Sequence, residues 1–395
     1  MAARIAEEDR VQTLRFLFFA LLAATPITAE NRFERFERDL TRVREDLRIA
    51  KLSAAIVESG KIVWRSGTAA SPVSGAPLQQ SMTAVQVMQL VEKGSMSLDD
   101  PVAKYDAAAN LPAGATVRQV LSHTADGTPG EEYLYNRQFF SSLTAAVEKL
   151  SGKALRAPSK MEVLAKYAIA LDGAELVSGK NKAAMFTPAK SKRGVLLAYG
   201  LGWFSQSYSG ERIVWDFSQS EKSSTLFVKL PGRKLTLIVV SDSKALVEAA
   251  HFEDGNVARS SVALAFLEDV VFSRTFQRDE MENRALQAFY LGKQDESATV
   301  LRETLDKFPE LESSDDLTLL RLLSQLHFPA TEASATVVIR EHPYLPPAWF
   351  YYGLFVENEK RYREAAACFE QITEHQPPWH HWSVGEAKKE LRTLQ

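Results

Sequence analysis

The chain has 395 residues, 45% of them hydrophobic and 25% charged, which is enough for two domains of ordinary globular make-up. Its formal net charge of −3 gives no global field that would gather nucleic acid or an anionic membrane. The single cysteine, Cys368, excludes a disulfide framework and a thiolate metal site. None of the seven histidines has a partner at helical metal-ligand spacing, so no metal and no cofactor is expected.

Arg4, Arg10 and Arg15 lead into the apolar run FLFFALLAA (16–24), and small residues follow up to Ala29. That order predicts a signal peptide over 1–29 and an exported protein, periplasmic or secreted. The alternative is an uncleaved membrane anchor. Residues 31–50 predict a charged amphipathic helix with a solvated face. SAAIVESG and KIVWRSG then predict a hairpin turning at Ser59-Gly60. GAPLQQSMTAVQVMQLVEKG (75–94) predicts a helix burying one face through Leu78, Met82, Val85, Leu90 and Val91. Pro77 suits its first turn and Gly94 the residue just past its end. Strand-rich segments return late, at 199–209, 211–218, 224–230 and 234–243, with Pro231-Gly232 as a turn. Strands from both ends around intervening helices predict one antiparallel sheet flanked by helices, an α/β (α+β) domain over 30–272.

Beyond residue 276 the pattern is helical throughout. Pro309, Pro343 and Pro377 recur every 34 residues, the period of tetratricopeptide repeats. The units 278–311, 312–345 and 346–379 divide the region 276–395 accordingly. The last fits best, with Trp349, Gly353, Ala365, Phe369 and Pro377 in the repeat's order. The middle unit keeps little beyond Leu319, Val338 and Pro343. The alternative is a helical extension whose proline spacing is coincidental. Trp379, His380, His381 and Trp382 are expected to cap the array.

Seven stretches carry a resemblance: MQLVEKGSMSLDDPVAKY (88–105), TVRQVLSHTADG (116–127), AAVEKLSGK (145–153), LAKYAIALDGAELVS (164–178), MFTPAKS (185–191), YGLGWF (199–204) and LPGRKLTLIVVSDS (230–243). In this order they resemble the serine β-lactamase and penicillin-binding-protein superfamily, nearest its class C-like group of esterases and D-aminopeptidases. The resemblance covers most of 31–270 and implies that superfamily's fold. It also implies three motifs, and none is intact. A nucleophilic serine and a lysine base should open the helix as Ser-x-x-Lys, one helical turn apart so that the amine can take the hydroxyl proton. Those positions hold Pro77 and Gln80, after a segment (66–80) shorter than the family's. The tyrosine of Tyr-x-Asn falls on Tyr135, but the asparagine position holds Arg137, and Asn136 stands one residue early. The Lys/His-Thr/Ser-Gly strand falls on Trp215, Asp216 and Phe217.

Other arrangements that look catalytic have structural explanations. Ser241-Asp242-Ser243-Lys244 follows the last strand instead of opening a helix, and the neighbours Ser122 and His123 do not face each other. Tyr199, Trp203 and Phe204 read as sheet core. The leading expectation is a catalytically degenerate protein that binds a protein or peptide through its repeats, with Phe350, Leu354 and Glu357 facing the partner. One alternative is a serine hydrolase using Ser81 with Tyr135 as base. Another is a non-hydrolysing sensor of a cell-wall fragment, in which Arg137 supplies the missing cation.

Overall fold

The computed structural model describes residues 31–67, 75–127, 129–374 and 382–394. The leader 1–29, part of the shortened segment, Pro377 and the Trp379-His380-His381 group lie outside the described residues. Helix α1 (Arg32–Asp46) starts at an Asn31 capping box closed by Glu34 and buries Phe36, Leu40 and Val43. The Phe36 ring packs on Trp64 at 5.1 Å and on Phe266 at 6.0 Å, tying the first helix to the sheet and to helix α8 (Ser261–Phe266).

Six strands form one antiparallel sheet: β1 (Leu52–Glu58), β2 (Lys61–Gly67), β3 (Phe204–Tyr208), β4 (Glu211–Gln219), β5 (Ser224–Leu230) and β6 (Leu235–Ser241). Their order is β2-β1-β6-β5-β4-β3, so the two early strands join the four late ones through the β1–β6 pair. Strands β5 and β6 are buried at every position, which is why their sequences run apolar without alternating.

Helix α2 (Gln79–Glu92) departs from expectation in two ways. Leu78 is its N-cap, so Pro77 precedes the helix and does not sit in its first turn. Ser81, Thr83, Ala84, Val87 and Met88 are buried along with Val85 and Leu90, so far more than one face is covered. Small residues make this possible, and the Thr83 hydroxyl is satisfied by the Gln79 carbonyl at 2.9 Å and the Thr144 hydroxyl at 2.8 Å. Helices α3 (Val117–Leu121), α4 (Arg137–Ser151), α5 (Met161–Asp172) and α6 (Gly179–Phe186) complete the helical side.

The expected strand 199–209 begins only at Phe204, because a turn at Gly200–Trp203 brings the chain against α2. Gly202 has φ +81°, and a Cβ there would lie 2.0 Å from the Ala84 Cβ. Its N–H donates to the Leu121 carbonyl at 2.8 Å.

After the short helix α7 (Ala245–Glu248) and α8, the chain forms helix pairs α9 (Gln277–Tyr290) with α10 (Gln294–Lys307), α11 (Leu317–Gln325) with α12 (Thr331–Glu341), and α13 (Pro346–Asn358) with α14 (Tyr362–Glu374). Helix α15 (Trp382–Leu394) follows. The three pairs occupy 277–307, 317–341 and 346–374. Gly353 admits Phe369 so closely that a Cβ would meet its Cε1 at 2.6 Å, and the Ser297 hydroxyl bonds the Ala285 carbonyl at 2.7 Å. No helix among the described residues is long and apolar enough to cross a membrane.

The helix pairs are anchored to the sheet domain. Buried Arg259 pairs with Glu282 and Asp316. Asn283 donates to the Ala258 carbonyl at 2.7 Å, and Thr318 to Asp254 at 2.8 Å. His342 places Nδ1 3.1 Å from Glu132 and Nε2 3.2 Å from Asp315. Only an imidazolium has an N–H for each carboxylate, and hydrogen bonds to Asp315 and Glu132 push its pKa up to about 9.

Two measurements check this architecture. Gly202→Ala adds a clash and a strained φ, so unfolding free energy should fall by about 2–4 kcal/mol, read as a lower urea midpoint; an unchanged midpoint would contradict the close approach. The His342 contribution is fully present below its ordinary pKa of 6.5 and is lost as pH rises through about 9. Wild-type Tm should therefore fall more between pH 7 and pH 10 than that of His342→Gln. Parallel curves would show that the bridge does not hold the domains.

Candidate active site

Leu78 offers no side-chain cap to α2, although the first-turn N–H groups of any helix need acceptors. The acceptor comes from strand β4. Asp216 Oδ2 accepts the Ser81 N–H at 3.2 Å, and Oδ1 accepts the Phe217 N–H at 2.8 Å. A carboxylate at a helix N-terminus is favoured by the helix dipole, but this one is fully buried. Burial pushes its pKa up to about 6 against the bonds from Ser81 and Phe217 and the charge of Arg137. The place where a reacting oxyanion would draw on the helix dipole holds the protein's own acid.

Strand alternation sends the neighbours of Asp216 to the opposite face. Trp215 stacks on Phe204 at 3.9 Å and is fully buried. Phe217 stacks on Tyr135 at 5.5 Å and packs on Phe252 at 5.3 Å. These rings occupy space that a glycine-bearing strand would leave to a ligand.

Gln80 and Tyr135 do meet: the Tyr135 hydroxyl donates to Gln80 Oε1 at 2.9 Å and accepts from Arg137 Nε at 3.3 Å. His123 presents Nε2 to the Gln80 amide at 3.5 Å, while its Nδ1 accepts the Asn136 N–H at 3.1 Å. Asn136 itself caps α4, accepting from the Gln138 and Phe139 N–H groups. Burial and Arg137 hold the His123 pKa down at about 3, and burial pushes Tyr135 up to about 12. Neither group exchanges a proton near neutrality, where a general base is effective.

Ser81 is fully buried, and its hydroxyl lies toward Asp216 and Tyr167; the Tyr135 hydroxyl has Gln80 and Arg137 as its partners. Pro77 is exposed and chemically inert. Arg137 reaches the Gln219 carbonyl at 3.4 Å and lies over the Phe217 ring at 5.5 Å. Among the other serine arrangements, the Ser122 hydroxyl donates to the Arg118 carbonyl, and Lys244 pairs with Glu248.

Tyr135, Arg137 and Phe217 line a cleft of about 1060 Å³ whose opposite wall comes from α11–α13 and includes Arg321, Phe350 and Tyr351. Phe350, expected to face a partner, is buried against Phe369 and Trp382. Leu354 and Glu357 line a second recess of about 660 Å³. The sequence reading missed Asp216 as helix cap, His123 as neighbour of Gln80, and the wall from the helix pairs. An uncapped Leu78 was the available signal for the first; the others are brought together only by tertiary structure.

A model of the Beta-lactamase family matches residues 35–164. The chain is similar to the octameric penicillin-binding protein homologue from Pyrococcus abyssi, at 16% identity and TM-score 0.53, over 64% of this chain and 81% of that one. A D-stereospecific amidohydrolase from Streptomyces sp. aligns at 15% identity and TM-score 0.47, over 60% and 98% of the two chains. A D-amino acid amidase from Ochrobactrum anthropi SV3 aligns at 12% identity and TM-score 0.44, over 54% and 91%. No curated protein matches. The family match and the first structure define a β-lactamase-like α/β domain, with a helical region following it.

Because its carboxyl is pushed up, Asp216 favours folding fully below 3.8 and loses that contribution as pH rises through about 6. Asp216→Asn should remove about 2–3 kcal/mol from the change in unfolding free energy between pH 7 and pH 4. Identical pH dependence in variant and wild type would mean that the carboxyl does not titrate in the fold.

Proposed function

We propose that this is an exported, catalytically degenerate β-lactamase-related protein that acts by binding. The observation that carries the reading is the replacement of reactive groups in an otherwise assembled site. The helix and Tyr135 are in place, yet an amide meets the tyrosine hydroxyl and an internal carboxylate caps the helix front. Acyl transfer needs a nucleophile within reach of a base, and the only serine on this turn, Ser81, is buried against Asp216. Export rests on the sequence of residues 1–29.

The tetratricopeptide-like reading of the C-terminal region is supported by one helix pair per 34-residue unit and by the Gly353–Phe369 contact, where a small residue lets paired helices approach. A protein or peptide partner would use the α13 surface at Leu354 and Glu357. A second reading, sensing of a ligand such as a cell-wall fragment without hydrolysis, is favoured by Arg137 at the cleft and is compatible with the first.

Incubation with a fluorescent penicillin and with a p-nitrophenyl ester should give no protein-bound label and no burst of nitrophenol. Stoichiometric acylation of any serine, located by mass spectrometry and abolished by its alanine variant, would sink the proposal.

A further inference from the structure

The charge of this chain is unevenly distributed. Residues 149–193 hold ten Lys and Arg against three Asp and Glu, a net +7 inside a chain of net −3. Five of these cations, Lys153, Arg156, Lys160, Lys166 and Lys180, are exposed, and no carboxylate among the described residues lies within ion-pair distance of any of them. The fold sets them along one helix. The connection from α4 to α5 folds back, with the Leu155 N–H on Glu148 at 2.7 Å, so Lys153 and Arg156 stand at the N-terminal end of α5. Lys160 is its N-cap, and Lys166 lies on its outer face, since Leu164, Ala165, Tyr167 and Ala168 turn inward toward β1 and β6. Lys180 opens α6, whose Lys182 donates to the Leu171, Asp172 and Gly173 carbonyls at the other end of α5. The stripe is therefore about as long as this helix of 12 residues, about 18 Å. Most acids near it are engaged: Asp172 with Lys229 at 2.5 Å, Asp106 with Lys149 at 3.8 Å, and Glu92 with the Ser178 N–H at 2.7 Å. Glu162 and Glu175 remain exposed, too few to cancel the five cations. Two aliphatic side chains stand among the charges. Leu150, beside Lys149, is 40% exposed, and Val163, one turn from both Lys160 and Lys166, is 48% exposed.

We propose that the α5 stripe docks the protein on an anionic lipid surface. Headgroup phosphates meet Lys153, Arg156, Lys160 and Lys166, while Leu150 and Val163 enter the apolar boundary beneath the headgroups. Free cations interleaved with bare aliphatic side chains suit such an interface. A soluble polyanion would use the cations alone and gain nothing from the aliphatic pair. The negative charge carried by the rest of the chain does not oppose docking, because screening confines exposed charges to about 8 Å in physiological salt. The inference goes beyond the proposed function and does not depend on whether the old site is inert.

The test is sedimentation of the full chain with vesicles of phosphatidylcholine alone, or of equal parts phosphatidylcholine and phosphatidylglycerol. Residues 1–29 bring their own cations and apolar run, so each reading compares variants that share them. Wild type should bind the mixed vesicles about tenfold or more tightly than phosphatidylcholine alone, and high salt should remove that preference. Replacing Lys153, Arg156, Lys160 and Lys166 together by Gln should weaken binding to mixed vesicles about tenfold or more. Replacing Lys61, Arg65, Arg284 and Lys388 by Gln makes the same charge change away from the stripe and should leave binding within about threefold of wild type. Leu150→Ser combined with Val163→Ser should weaken binding while leaving its salt dependence intact. Circular dichroism confirms that each variant is folded. Equal binding of the two vesicle types by wild type, or equal losses in the two charge variants, would overturn the inference. So would binding to heparin that is tighter than to vesicles and indifferent to the Leu150 and Val163 changes, because the stripe would then belong to a soluble polyanion.

Discussion

The contact between Asp216 and the first turn of α2 organises the site. It joins a strand to a helix through the N–H of Ser81, and it does so where α2 has no cap of its own. The helix dipole and the first-turn amides favour negative charge at that spot, while burial opposes it. In an acyl-transfer enzyme the charge arrives with the reaction. Here it is built in, and strand alternation then dictates the rest: with Asp216 facing the helix, Trp215 and Phe217 must face the other way, where they complete a stack with Phe204 and Tyr135.

The amide at Gln80 follows the same physics. A lysine amine at this position would be buried beside Arg137 and the Tyr135 hydroxyl, with desolvation and a like charge both opposing its protonation. An amide keeps the hydrogen bond to Tyr135 without any charge to desolvate. The two side chains suit each other: the internal acid answers the helix front, and the neutral amide adds no charge beside Arg137. Each makes the other easier to accommodate, and the result is a site that resembles core.

Much of the sheet was legible in the sequence because period-two patterns and turn residues are local signals. The hairpin at Ser59-Gly60 and the strands on either side of Pro231-Gly232 appear as read. The start of α2 was not, since neither Pro77 nor Leu78 is a capping residue and the acceptor is Asp216, 135 positions from Ser81 along the chain. The single apolar face expected for α2 failed for a related reason. Ser81, Thr83 and Ala84 are small enough for the β4 strand, Thr144 and the Gly202 turn to close over them, and hydrophobicity alone does not register size. In the helix pairs, Phe350 turns inward because Trp382 from the following helix covers it, a contact that no local pattern announces.

The anchoring of the helix pairs decides how any binding surface is presented. Arg259 is buried with Glu282 and Asp316, and separating such charges without replacement partners is strongly unfavourable. The array is therefore fixed against the sheet domain at α9 and α11, with His342 holding the far side to the loop that carries Tyr135. An array held at both ends cannot offer its whole inner face to a partner. What it leaves open is a cleft whose other wall carries Tyr135, Arg137 and Phe217. The stack of Phe217 on Tyr135 closes the sheet-domain side of this cleft, and it gives the helix pairs a solid surface to face.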